Sequence, residues 1–202
     1  MFDARLRGLV DPPLNFIGRQ LVRIGITANT VTLSGFAAGL LCVPLLALEY
    51  YAAALLLLIV NRLLDGVDGA VARIQGVTDL GGFLDIVLDF IFYSAFVFGL
   101  VLARPENAIA GAFLIFSFIG TGSSFLAYAI FAAKRHITTA IRDKKSFYYL
   151  GGLTEGTETF VLFVLLCLLP DAFTPLAVFF GILCWITTAS RITWAWTTLR
   201  DI

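Results

Sequence analysis

From Val31 to Trp196 the sequence is a succession of apolar runs, most of them close to the length of a membrane-crossing helix, separated by short polar turns. A hydrocarbon core of ~30 Å needs about 20 apolar residues per crossing, and inside it every backbone N–H and C=O must find a partner within the protein. A soluble domain with a single anchor cannot account for so many runs. With 59% of its 202 residues hydrophobic and only 14% charged, the chain reads as an all-α membrane protein with six transmembrane helices and one domain over residues 1–202.

The predicted spans are 31–48, 52–72, 80–103, 108–133, from Gly152 to about 169, and 176–196. Ahead of them, residues 1–25 mix Leu6, Leu9, Leu14, Phe16 and Ile17 with Arg5, Arg7, Arg19 and Arg23, interrupted by Pro12-Pro13. That pattern suits an amphipathic segment lying at the lipid headgroups, and equally a plain basic flank that fixes topology. The charged residues ahead of any long apolar run predict no cleavable leader, so insertion would rely on the internal spans. Six spans put Arg62, Arg73, Lys134, Arg135, Arg142, Lys144, Lys145, Arg191 and Arg200 on one side with the N-terminal arginines and only Arg104 opposite; the positive-inside rule makes that side cytoplasmic. Lysines and arginines balance acids at 14 each, and no basic block suggests nucleic acid. Cys42, Cys167 and Cys184 read as small buried hydrophobes.

Acids are costly at membrane depth and usually mark function there. Asp65 and Asp68 are spaced i, i+3, and Asp85 and Asp89 are spaced i, i+4, so each pair shares a helix face. A turn over Arg73 to Thr78 would bring the faces together around a hard divalent cation, Mg2+ or Mn2+, held by oxygen ligands. Asp85 alone could be an acid favouring a helix N-terminus, but Asp65 and Asp68 come late in their span, where the helix dipole opposes them.

The pattern Asp65-x-x-Asp68-Gly69-x-x-Ala72-Arg73, followed by Gly81-x-x-x-Asp85-x-x-x-Asp89, resembles the signature of the CDP-alcohol phosphatidyltransferases. Ile26-Thr27-Ala28-Asn29-Thr30-Val31-Thr32 is similar to that family's entry to the first span, with Ala28 in place of the usual proline. The link from Arg73 to Gly81 is one residue shorter than usual. The resemblance implies a six-helix transferase of the bacterial inner (cell) membrane, with its site facing the cytoplasm and a homodimer as its assembly. It would move a phosphatidyl-type group from a CDP-linked lipid, CDP-diacylglycerol, to an alcohol acceptor and release CMP. Asp65 and Asp85 would touch both ions of a two-metal site, Asp68 and Asp89 would each complete one, and Asp89 would also be the general base. Asn29, Thr32, Gly69, Ala72, Arg73, Thr78 and Gly81 match positions that contact the CDP moiety.

Two other functions fit the same acids. One is a transferase using a soluble CDP-alcohol and a lipid acceptor. The other is an ion or proton transporter, which leaves Gly69, Ala72 and Arg73 without a purpose and expects acids at several depths. Outside the acid stretch, Glu155 and Glu158 could line an acceptor pocket or could simply suit a helix N-terminus. The basic loop from Lys134 to Lys145 suits topology and membrane lipid headgroups, and His136 within it is left out of the site.

Overall fold

The structure, a computed structural model, describes residues 3–135 and 153–200, and every regular element in them is helical. In chain order these are α1 (Asp3–Arg23), α2 (Ala28–Leu40), α3 (Cys42–Ala47), α4 (Tyr51–Gln75), α5 (Asp79–Ala103), α6 (Ala108–Lys134), α7 (Gly156–Leu168) and α8 (Phe173–Leu199). Among the described residues, four helical segments are long and apolar enough to cross a membrane: Ala28–Ala47, Asp79–Ala103, Pro105–Lys134 and Pro170–Leu199. With 25 residues α4 has the length to cross as well, but Arg62, Asp65, Asp68 and Arg73 give it a charged face. The described part of the fifth apolar run is shorter, 13 residues in α7. His136, Arg142, Lys144, Lys145, Gly151 and Gly152 lie outside the described residues.

The chain divides into two compact units, Met1–Glu106 and Asn107–Ile202. In the first, α1 and α2 pack on α4, while α3 packs on both α4 and α5 and α2 also reaches α5. The small helices α2 and α3 thus bridge the two that carry the acids. Their approach needs missing side chains: a Cβ on Gly39 would lie 2.8 Å from the Phe92 ring and 2.9 Å from Asn61 Nδ2. Leu14 of α1 is buried against Val67, Ala70 and Val71 of α4, which fixes the N-terminal helix to the acid-bearing one.

Two expectations about this unit change. Pro12 and Pro13 do not interrupt the N-terminal segment; α1 runs through them from Asp3 to Arg23. A proline inside a helix forfeits a hydrogen bond and crowds the turn before it, a cost of roughly 3 kcal/mol, and Leu14 just beyond them is buried against α4. The first span is divided at Leu41 into α2 and α3. Pro44 explains the division, because it has no N–H to give the carbonyl four residues earlier.

The connections are set by short-range chemistry. Thr27 caps α2, accepting from Thr30 N at 3.3 Å, and Thr78 caps α5, accepting from Gly81 N at 3.0 Å. Gly25 (φ 80°) and Gly76 (φ 99°) turn the chain in the left-handed region that glycine tolerates best. Gln75 ties the two turns together: its Nε2 donates to Ile26 O at 2.9 Å and its Oε1 accepts from Ala28 N at 3.3 Å. At the other end of the helices, Arg104 after α5 meets Glu49 after α3 at 3.0 Å.

In the second unit α6 lies along α8, and α7 packs on α8. A Cβ on Gly120 would lie 3.1 Å from Thr188 Oγ1 and 3.2 Å from the Trp185 ring, so this glycine serves the packing of α6 on α8. Glu155 and Glu158 form a capping box at the start of α7, with Glu155 N donating to Glu158 Oε2 at 3.1 Å. Of the two readings left open for these acids, the helix start is the one whose contacts are seen.

Candidate active site

The acids come from the C-terminal half of α4 and the N-terminal half of α5. Asp65, Asp68 and Asp85 each offer a carboxylate oxygen, and the three oxygens lie within 4.8 Å of one another. Oxygens ~2.1 Å from a small divalent ion in octahedral geometry sit about 3–4 Å apart, so this set fits such an ion after a small contraction. Asp68 adds a sharper sign. It is 7% exposed, and its Oδ2 is buried with no hydrogen-bond partner among the described residues. A buried carboxylate oxygen without a donor is expensive, and a bound cation would remove the cost. All-oxygen ligands favour Mg2+ or Mn2+ over zinc.

Asp89 is placed differently from its three companions. Its Oδ1 accepts from Arg62 Nη2 at 2.6 Å, and its Oδ2 accepts from Tyr93 OH at 3.0 Å and from Arg62 Nη1 at 3.5 Å. Arg62 Nη1 also lies 3.6 Å from Asp65 Oδ2. A cavity of about 20 Å³ is bounded by the four aspartates and Arg62 together with Thr32, Gly35, Phe36, Asn61, Leu88 and Phe92.

A larger cleft, about 270 Å³, opens beside the acids. Asn29, Thr32, Gly69, Ala72, Arg73 and Gly81 all line it, as do Asp68 and Asp85, which it shares with the acid cavity. Six of the seven positions matched to a CDP moiety therefore surround one space. The seventh, Thr78, adjoins it as the cap of α5. Gly81 keeps that corner open, since a Cβ there would lie 3.0 Å from Thr78 Oγ1 and 3.3 Å from Asn29 Oδ1. Gly69 and Ala72 give α4 a smooth wall. Arg73 is steered from α1, with Nη2 donating to Asn15 Oδ1 at 3.3 Å and lying 4.0 Å from Asp11 Oδ1.

Sequence reasoning missed four participants: Asn15, Asn61, Arg62 and Tyr93. Arg62 and Tyr93 carried a usable signal, since one precedes Asp65 by three positions and the other follows Asp89 by four, placing them on the acid faces. Asn15 carried none, because its partner is 58 residues away.

The sequence pattern of the CDP-alcohol phosphatidyltransferases matches residues 25–194, and the chain belongs to that family. It is 54% identical over 203 residues to the inner membrane protein YnjF of Escherichia coli K12, spanning 100% of this chain and 98% of that one. Over 100 residues, 49% of this chain and 53% of the relative, it is 38% identical to archaetidylinositol phosphate synthase of Pyrococcus horikoshii. Its fold is like that of the phosphatidylinositol phosphate synthase PgsA1 of Mycobacterium tuberculosis, solved with CDP-DAG bound, with a TM-score of 0.72 over 91% of this chain and 94% of that chain at 22% identity.

Proposed function

We propose that this protein transfers a phosphatidyl-type group from CDP-diacylglycerol to an alcohol acceptor and releases CMP, as a six-span protein of the bacterial inner membrane with its site on the cytoplasmic side. The observation that carries this reading is the meeting of two spaces. The cleft lined by the CDP-matching residues opens onto the same Asp68 and Asp85 that border the acid cavity.

In the donor complex Arg73 would present its guanidinium fork to phosphate oxygens, and Asn29 and Thr32 would donate to the nucleotide half. Gly69 and Ala72 would let the nucleotide lie close against α4. Asp65, Asp68, Asp85 and Asp89 would hold Mg2+ or Mn2+, whose charge offsets that of the pyrophosphate and of the departing CMP. Asp89 would accept the proton of the acceptor hydroxyl as the alcohol oxygen bonds to the lipid-side phosphorus. The bond from that phosphorus to the bridging oxygen breaks, and CMP leaves with both electrons. For Asp89 to act, Arg62 must yield it, and the anionic donor offers the guanidinium other oxygens.

The purified protein should release CMP from CDP-diacylglycerol only when a divalent cation and an alcohol are both present. Asp89→Asn should keep nucleotide binding and lose turnover by at least about a hundredfold, the usual weight of a general base. Release unaffected by Asp89→Asn would remove that residue as the base. CMP release from CDP-choline but not from CDP-diacylglycerol would favour the soluble-donor reaction, and ion flux in liposomes without CMP release would favour a transporter.

A further inference from the structure

We infer that Arg62 is the resting occupant of the second cation position in the acid cluster, so that the nucleotide-free protein holds one divalent ion rather than two. The inference rests on the metal reading proposed above and concerns what the protein's own cation does there.

The two acids that Arg62 touches are the evidence. Its Nη2 lies 2.6 Å from Asp89 Oδ1, and its Nη1 lies 3.6 Å from Asp65 Oδ2. A second ion held by Asp89 with Asp65 would meet the guanidinium already lying against both acids. The side chain is built in, with 17% exposure. Its Nε donates to Asn61 Oδ1 at 2.9 Å, and Asn61 Nδ2 donates in turn to Gly35 O at 2.9 Å. The Phe92 and Tyr93 rings lie 5.5 and 5.6 Å from its central carbon, within reach of a cation–π attraction. Tyr93 OH donates to the other Asp89 oxygen, Oδ2, from the next turn of α5 at 3.0 Å.

The cluster is thereby divided. Asp89 has an arginine and a phenol, whereas Asp65, Asp68 and Asp85 converge on one another, and the buried Asp68 Oδ2 has no donor among the described residues. The space among them is about 20 Å³, enough for about one water-sized particle. Two divalent ions added to a guanidinium that stays in place would leave this small cavity net positive with no anion bound. One ion leaves it net negative by the same margin, so it is the guanidinium's place against Asp89 and Asp65, and not charge balance, that keeps the second ion out.

The test is a count of bound Mn2+ on the full-length protein in detergent without nucleotide, read by electron paramagnetic resonance during titration. Wild type should bind one ion per chain. Arg62→Gln should bind two, with the first held about tenfold tighter or more because a positive charge has been removed nearby. Arg62→Lys, which keeps the charge, should stay at one, and Asp68→Asn should lose the tight ion. Two ions on wild type would overturn the inference and leave the metal-dependent reaction standing. A single ion on folded Arg62→Gln, or a tight ion kept by Asp68→Asn, would also overturn it. No ion on wild type would overturn both the inference and the metal reading. A misfolded Arg62→Gln would not shelter the idea, since the wild-type and Arg62→Lys counts are each able to refute it.

Discussion

The two units place different polar groups inside their apolar helices. In Asn107–Ile202 the buried cation Arg191 donates from Nη1 to Thr121 O at 2.9 Å, and several hydroxyls return to the backbone of their own helix: Ser117 to Leu114 O at 2.7 Å, Thr121 to Phe118 O at 3.1 Å, Thr188 to Cys184 O at 2.9 Å and Thr193 to Ala189 O at 2.9 Å. Each of these hydroxyls is neutral and satisfied within one turn, so it costs little at low dielectric. In Met1–Glu106 the polar groups are carboxylates that crowd one another, and Asp68 keeps a buried oxygen with no partner among the described residues. The contrast teaches how to tell structure from chemistry in such a chain. A polar side chain closed on its own helix supports the fold, and a buried charge left open implies a ligand.

The largest effect that tests this contrast is at Asp68. Asp68→Asn should cut CMP release by at least about a thousandfold, some 4 kcal/mol of transition-state stabilisation. In metal-free buffer the same variant should melt no lower than wild type, because like charges are relieved; a clearly lower melting temperature would mean that Asp68 is structural. Next come matched glycines in the two units. Gly39→Ala puts a Cβ 2.8 Å from Phe92, and Gly181→Ala puts one 2.5 Å from Phe113 Cε1. Overpacking of this kind costs roughly 1–3 kcal/mol, so thermal melting should show both. Only Gly39→Ala should also change Mn2+ binding, tightening it and moving the count toward that of Arg62→Gln, because Asn61 and Phe92 support Arg62. Equal effects of both variants on Mn2+ would break the comparison. The smallest change should be Thr193→Val, within about 0.5 kcal/mol of wild-type stability and with unaltered CMP release.

Much of the fold could be read from local pattern. The ends of α5 and α6 fall within a residue or two of where apolar run and turn chemistry put them. What was hidden depended on partners. Pro44 marks the break at Leu41, but that the short helix α3 then packs on α5 shows only in the fold. The capping box at Glu155 and Glu158 was one of two readings that spacing alone left equal. Arg73 is aimed by Asn15, and the shortened link after it is steadied by Gln75 on the turn before α2; both contacts span some fifty residues of sequence.

The sequence by itself determined that the chain is helical and apolar and that Asp65 and Asp68, and likewise Asp85 and Asp89, share helix faces, because those are matters of composition and a period of 3.6. It could not decide which acid keeps an open lone pair. Arg62 is three residues from Asp65 and 27 from Asp89, yet its short contact, 2.6 Å, is with Asp89. That choice belongs to α2 and α3, which set how far α5 stands from α4 and so which carboxylate comes within reach of the guanidinium.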